Sequence, residues 1–262
     1  MICAVNSPQR QQQFLKALEA SDCTATHSDL GAHFAAFAEL PGSGWQFYTG
    51  AEQHLPFALA VQGSRAILAG EADGEELDSF LTFLGVKRLK TSGQIPNGWN
   101  VTQQPQRFIL PKDKTAISGK IPQQIQLDRL PSLQQVTELL AQGTTCAGEP
   151  QEVLDCFYSE ACTLRNRGLA QIWAVRNPQG LVATAGAYGI WNKTAYLAAV
   201  ETHLRYRGKG YGRAMVAALS NDLVEQGCLV ELLCKPGSED FYHALGFLQQ
   251  GQGCYCAPNF DA

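Results

Sequence analysis

The chain has 262 residues, with 20 Lys and Arg against 24 Asp and Glu, a net charge of −4 and a pI near 5.7. That balance gives no global positive field to recruit nucleic acid or an anionic membrane. No apolar run approaches the length of a membrane span and no signal-peptide pattern opens the chain, so a cytoplasmic location is expected.

An apolar fraction of 45% is ordinary for a globular protein, and the length suits two domains. The 9 cysteines form an odd set without disulfide-like regularity and read as reduced core residues. Cys254 and Cys256 share one face of a predicted strand, but no matching spacing supplies further zinc ligands, so no metal site is expected.

Residues 8–20 are glutamine-rich, with Phe14, Leu15 and Leu18 at helical spacing, and predict an amphipathic helix. A second helix is predicted over 29–40, ended by Pro41 and Gly42. Residues 45–49, 56–61 and 64–69 read as short strands, the last two joined at Gln62 and Gly63. Residues 74–84 put Leu77, Phe80, Leu81 and Leu84 on one helical face, and 86–89 read as another strand. This is an α/β unit with its own core. Residues 91–122 shift to Gly, Pro, Asn, Gln, Lys and Ser apart from a strand at 107–110, and read as an interdomain connection. The expected domains are therefore 1–118 and 119–262.

The second domain opens with a strand at 125–127, then helices at 130–141 and 152–167. Strands follow at 170–176, 181–188 and 194–202, the first pair joined by the tight-turn sequence of residues 177–180. Beyond a central helix, 228–234 reads as a strand, 238–245 as a short helix and 247–257 as a terminal β segment.

The most informative stretch is Arg207-Gly208-Lys209-Gly210-Tyr211-Gly212, between the strand ending at Thr202 and a helix carrying Met215, Val216, Leu219, Leu223 and Val224. Strand, glycine-rich turn and helix N-terminus turn backbone N–H groups toward an anion, and Arg207, Lys209 and Arg213 add positive charge. A pyrophosphate-bearing ligand fits best. The turn is not a P-loop, since no Gly-Lys-Ser/Thr ends it. Nor is it a dinucleotide fingerprint, since the glycines alternate and no acidic residue ends a following strand.

These residues match R/Q-x-x-G-x-G/A, and the chain here resembles the GNAT superfamily of N-acetyltransferases. The flanking residues look most like its glycine-acyltransferase-like branch. Downstream, Phe241-Tyr242-His243-Ala244-Leu245-Gly246-Phe247 resembles the superfamily's l-Y-e-k-l-G-F element. The resemblance implies an α/β fold with a mixed sheet: a GNAT-type domain at the C-terminus and a smaller N-terminal α/β domain that could be a diverged half of the same fold. It further implies an acetyl-CoA-dependent transfer of an acetyl group to a primary amine, on a small molecule or a peptide. The sequence leaves a homodimer open and does not choose the acceptor.

By position in that family, Val200, Glu201 and Thr202 run along the pantetheine, with the Thr202 N–H as the expected oxyanion donor. Arg207, Gly208, Lys209, Gly210, Tyr211, Gly212 and Arg213 hold the pyrophosphate. Tyr242 matches the tyrosine that protonates the departing thiolate. Several relatives carry a glutamate where this chain has Tyr196, and an asparagine where it has Lys235. Glu201 is the nearest carboxylate and stands as the expected base, although strand alternation points it away from the Val200 and Thr202 side chains. A bulge near His203 would be needed to aim that ring inward. Two other readings remain open: an acyl-CoA-binding regulatory module, and a longer-chain acyltransferase.

Overall fold

A computed structural model describes residues 1–20, 24–50, 57–91, 94–117 and 126–259. Within them the chain forms two units, Met1–Arg107 with Gly251–Ala262, and Phe108–Gln250. The expected break at 118/119 lies outside the described residues, as do the predicted starts at 56 and 125.

The first unit runs β1 (Ile2–Ala4), α1 (Pro8–Ala20), α2 (Thr24–Phe37), β2 (Trp45–Gly50), β3 (Phe57–Gln62), β4 (Arg65–Gly70), α3 (Gly74–Phe83), β5 (Arg88–Thr91) and β6 (Trp99–Gln103). Leu59, Leu68, Leu77, Leu81 and Leu89 are fully buried in its core. β4 and β5 pair in parallel and the strands before them are antiparallel. The second helix begins earlier than expected and ends at Phe37, before Pro41. Inside it Asp29 accepts from the Lys90 ammonium at 2.7 Å and lies 3.1 Å from His33 Nδ1. β6 lies in the stretch expected to be a connection. It is an edge strand in which only Trp99 is buried, so it carries none of the alternation that marks a half-buried strand.

The second unit contains β8 (Gln126–Asp128), α4 (Leu133–Gln142), α5 (Gln151–Asn166), β9 (Gln171–Asn177), β10 (Gly180–Trp191), β11 (Thr194–Thr202), α6 (Tyr211–Glu225), β12 (Leu229–Cys234) and α7 (Glu239–His243). Its sheet also takes in β7 (Gln106–Leu110) and β13 (Leu248–Gln252), in the order β13-β7-β12-β11-β10-β9-β8. One face packs on α6 through Met215, Val216, Leu219 and Leu223. The other packs on α4 and α5 through Leu133, Val136, Leu140 and Ala161, with Tyr188 and Ile172 from the strands.

The terminal β segment is two strands. β14 (Cys254–Pro258) pairs antiparallel with both β5 and β6 and so completes the first sheet. The second sheet, by contrast, is built from the consecutive strands β7 to β13. Because β14 returns to the first sheet, no single division of the chain separates the two sheets. Cys254 and Cys256 point into the first unit's core with their Sγ atoms 3.3 Å apart. No group of three or more metal-ligating side chains occurs among the described residues. None of the described helices is long and apolar enough to cross a membrane.

Candidate functional site

The site is built at the end of β11. Strands β11 and β12 are paired only over Thr194↔Leu229, Ala195↔Val230 and Tyr196↔Glu231, although both run on past those positions. On the other side, the β10 register jumps from Ala198↔Gly186 to Glu201↔Thr184, leaving Ala199 and Val200 without partner residues. Ala199 has φ 50°, a left-handed conformation unusual outside glycine. This is a β-bulge, and it resets the alternation. Ala198 and Ala199 both pack on the α4/α5 face, Val200 packs on the α6 face, and Glu201 then returns to the α4 side. The bulge lies upstream of His203, which does not turn inward. The His203 Nδ1 accepts from the Arg205 N–H at 3.2 Å and caps the 3-10 turn at Leu204–Tyr206.

The turn that follows leaves the helix start open. Gly208 and Gly210 have φ 74° and 84°, where a side chain would be strained. Gly210 is the N-cap of α6 and supplies no side-chain hydrogen bond to it. The first helical bond runs from the Ala214 N–H to the Gly210 carbonyl, so the N–H groups of Tyr211, Gly212 and Arg213 precede the helix's own ladder. Gly212 meets a packing limit, since a Cβ there would sit 2.9 Å from Thr202 Oγ1. Lys209 lies over the Tyr206 ring, 5.3 Å from its centroid. Arg213 donates through Nη2 to the Ala244 carbonyl at 2.6 Å, while its Nε is buried without a hydrogen-bond partner.

Glu201 is held from every side. Its Oε2 accepts from the Thr144 N–H (2.8 Å) and Oγ1 (3.3 Å) and from the Thr145 N–H (3.0 Å) and Oγ1 (2.9 Å). Its Oε1 accepts from Arg207 Nη2 (2.7 Å) and from the Thr202 N–H (3.1 Å). Burial would raise this carboxyl, but the hydrogen bonds from Arg207, Thr145 and Thr144 outweigh it and hold Glu201 below the usual glutamate range. Its side chain is 3% exposed. A carboxylate so fully engaged has no lone pair left for an incoming amine, and its low proton affinity opposes proton abstraction. In this geometry Glu201, expected as the base, serves as a hydrogen-bond anchor. Two neighbours change with it. The Thr202 N–H is committed to Oε1 and is not placed to polarise a carbonyl. The Arg207 guanidinium turns back onto Glu201 and the Thr202 carbonyl rather than standing over the helix start.

Tyr242 lies on α7, buried among Phe108, Phe241 and Phe247 with ring centroids 5.0–5.9 Å away. Burial, reinforced by the neighbouring Cys234 thiol, pushes its phenol above the usual tyrosine range. It is therefore a neutral O–H donor throughout the physiological range. Thr144 and Thr145 were not singled out from the sequence. Their signal, two adjacent threonines after a helix-ending glycine, is too common to mark a site alone. Tyr188 was also missed: its hydroxyl is buried on the α4/α5 face without a hydrogen-bond partner.

The acetyltransferase (GNAT) family profile matches residues 133–247, a span that includes the bulged strand, the glycine turn and α7. Residues 133–247 form a GNAT acetyltransferase domain. Among solved structures, a tandem GNAT protein from the clavulanic acid biosynthesis pathway superposes with a TM-score of 0.67 at 13% identity, covering 100% of this chain and 99% of that one. GCN5-related N-acetyltransferases from Kribbella flavida (TM-score 0.59, 12% identity, 91% and 96% covered) and Sphaerobacter thermophilus (0.61, 11%, 100% and 98%) are similar as well. At these identities the likeness is one of fold, and it extends over both units. No curated protein matches the sequence.

The same element order frames a different turn in the first unit. Between β4 and α3, Asp73 caps the helix, its carboxylate accepting from the N–H groups of Glu75 (3.1 Å) and Glu76 (2.9 Å). Glu71, Glu75 and Glu76 are close to it in sequence, the Glu76 carboxylate accepting from the Ile2 N–H and pairing with the Met1 ammonium. That helix start already holds its own anion.

Proposed function

We propose that the protein is an acetyl-CoA-dependent N-acetyltransferase, binding the cosubstrate in its second unit alone. The observation that carries this reading is the uncapped start of α6 behind Gly210, at the foot of a strand pair that parts after Tyr196. Backbone N–H groups of residues 208–213 would take the pyrophosphate, with the Arg213 charge on the first turn of the helix. Lys209 would add charge, while Arg207 would shape the turn through Glu201.

The thioester carbonyl would lie along the bulge. The Val200 N–H, outside the β10 register, is better placed to polarise it than that of Thr202. The acceptor is a primary amine on a small molecule or peptide. Its nitrogen bonds to the carbonyl carbon, the C–S bond breaks, the amine's proton passes to water, and the departing thiolate takes the Tyr242 phenol proton, which a proton from water then restores. Tyr196 and the engaged Glu201 offer no carboxylate base, so the amine would enter neutral or lose its proton through water. One observation favours a second reading, an acyl-CoA-binding module without turnover: the carboxylate nearest the bulge is consumed structurally.

Calorimetric titration with acetyl-CoA, repeated with Gly210→Glu, tests the assignment. Nothing lies within 4 Å of a Cβ at this position, so the effects of the substitution are backbone strain and a carboxylate at the helix start. Binding by the wild type that falls by about a hundredfold or more in the variant supports the site. An equal affinity in both removes it. Binding without acetyl transfer across an amine panel would favour the second reading.

A further inference from the structure

We propose that Glu201 is a positioning residue that couples the glycine turn to the loop between α4 and α5. The inference rests on the proposed function and adds to it a means by which the cosubstrate's pyrophosphate is sensed at the loop packed against the other face of β11.

The two carboxylate oxygens divide the work. Oε2 collects the loop, taking both backbone N–H groups and both hydroxyls of Thr144 and Thr145. Oε1 collects the strand through the Thr202 N–H and the turn through Arg207. Arg207 closes a ring, since its Nη2 also lies 3.4 Å from Thr144 Oγ1 and its Nε donates to the Thr202 carbonyl. Six donors meet a group with about four lone-pair directions, so a change at one oxygen is felt at the other. The fit is tight against the backbone. A Cβ on Gly143 would sit 2.3 Å from the Glu201 carboxyl, so the loop's first residue has to be glycine for the carboxylate to reach the threonine amides.

The turn end of this junction is the part open to ligand. The Arg207 side chain is 39% exposed while that of Glu201 is 3% exposed. A pyrophosphate at the start of α6 attracts the Arg207 guanidinium and shifts its share of Oε1, and the rigid carboxylate carries that shift to Thr144 and Thr145. These residues stand at the mouth of the α4–α5 loop, on the face of β11 toward which Ala198, Ala199 and Glu201 point. A purely structural anchor would hold the loop equally with and without ligand. A coupling residue makes the two events depend on each other.

Glu201→Gln keeps the shape, removes the charge and sets an amide donor against a nest of donors. Acetyl-CoA is the probe, read by calorimetry and by hydrogen exchange at the Thr144 and Thr145 amides. In the wild type, acetyl-CoA should slow exchange at these amides. In the variant, exchange should be faster without ligand and insensitive to it, and acetyl-CoA should bind about tenfold more weakly, the loss of one charge-assisted hydrogen bond. A variant that is merely less stable, yet binds acetyl-CoA as the wild type does and shows the same ligand-induced slowing, overturns the inference while leaving the proposed function standing. If Glu201→Gln does not fold, Thr145→Val removes one hydroxyl donor and keeps the backbone. A smaller change in the same direction supports the coupling, and unchanged affinity with unchanged protection refutes it. No acetyl-CoA binding by the wild type overturns the proposed function, and the coupling falls with it.

Discussion

In each unit a strand–turn–helix junction links two strands that pair in parallel, and these two junctions are electrostatic opposites. Both present helix N–H groups at the end of a strand that pairs in parallel with the strand after the helix. At the start of α3 those groups meet the carboxylate of Asp73, with Glu71, Glu75 and Glu76 close in sequence. At the start of α6 Gly210 supplies no side-chain cap, and the cations adjoining it in sequence are Lys209 and Arg213, while Arg207 is turned onto Glu201. The helix dipole is the same in both places. What differs is whether the chain supplies the anion or leaves the position to a ligand. A shared fold therefore does not imply a shared site. A helix carrying the equivalent of Tyr242 is likewise absent between β5 and β6 among the described residues.

The largest expected effect comes from cutting the chain where its composition changes. Residues 119–262 contain the glycine turn, α6 and α7 but lack β7. Phe108 and Leu110 are fully buried in the second unit's core, and β7 stands between β13 and β12. Emptying one large core position costs about 3–5 kcal/mol, against a typical net stability of about 5–15 kcal/mol, and here a whole inner strand is lost. The fragment should show no cooperative unfolding by circular dichroism. A folded fragment that binds acetyl-CoA would make the second unit self-sufficient and break the comparison at its root.

The next effect is chemical and confined to one unit. Tyr242→Phe retains the ring contacts with Phe108, Phe241 and Phe247 and removes only the proton donor. The expected result is a fall in kcat of about a hundredfold with acetyl-CoA affinity unchanged. Because burial raises the phenol, it stays protonated well past neutrality, and the wild-type kcat should show no alkaline loss from Tyr242 below about pH 10. An unchanged kcat in the variant would return Tyr242 to the aromatic core and leave thiolate protonation to water.

What was legible in the sequence and what was not divides by distance along the chain. The glycine turn announces itself within a few residues, because positive φ demands glycine and clustered cations are conspicuous. The helices other than α2 and the inner strands follow their apolar periodicity closely. The anchoring of Glu201 is not legible in the sequence because its partners Thr144 and Thr145 lie 57 and 56 residues away, and no local pattern pairs them. The bulge at Ala199 has no glycine to mark it, so the sequence carries no local signal that places the break in alternation there rather than near His203. The Arg207 cation was visible, but the direction of its guanidinium depends on that same buried carboxylate. The placement of β14 in the first sheet escaped for a similar reason: strand pairing across the length of the chain leaves no trace in either segment alone.

The smallest expected effect sharpens the comparison most directly. Asp73→Ala removes the cap of α3 and exposes the Glu75 and Glu76 N–H groups, making the first junction formally resemble the second. Loss of an N-cap costs about 1 kcal/mol, which in a chain of this size lowers Tm by about 2–4 °C. It should not create a second acetyl-CoA site, because the acidic residues Glu71 and Glu75 flank the opened helix start in sequence and disfavour a pyrophosphate, while the strand before it ends without an Arg-Gly-Lys-Gly turn. Calorimetry should therefore give one acetyl-CoA per chain before and after the substitution, with the same affinity. A stoichiometry of two in the variant would mean that the Asp73 carboxylate alone closes the first unit to the cosubstrate. A stoichiometry of two in the wild type would mean that it closes nothing.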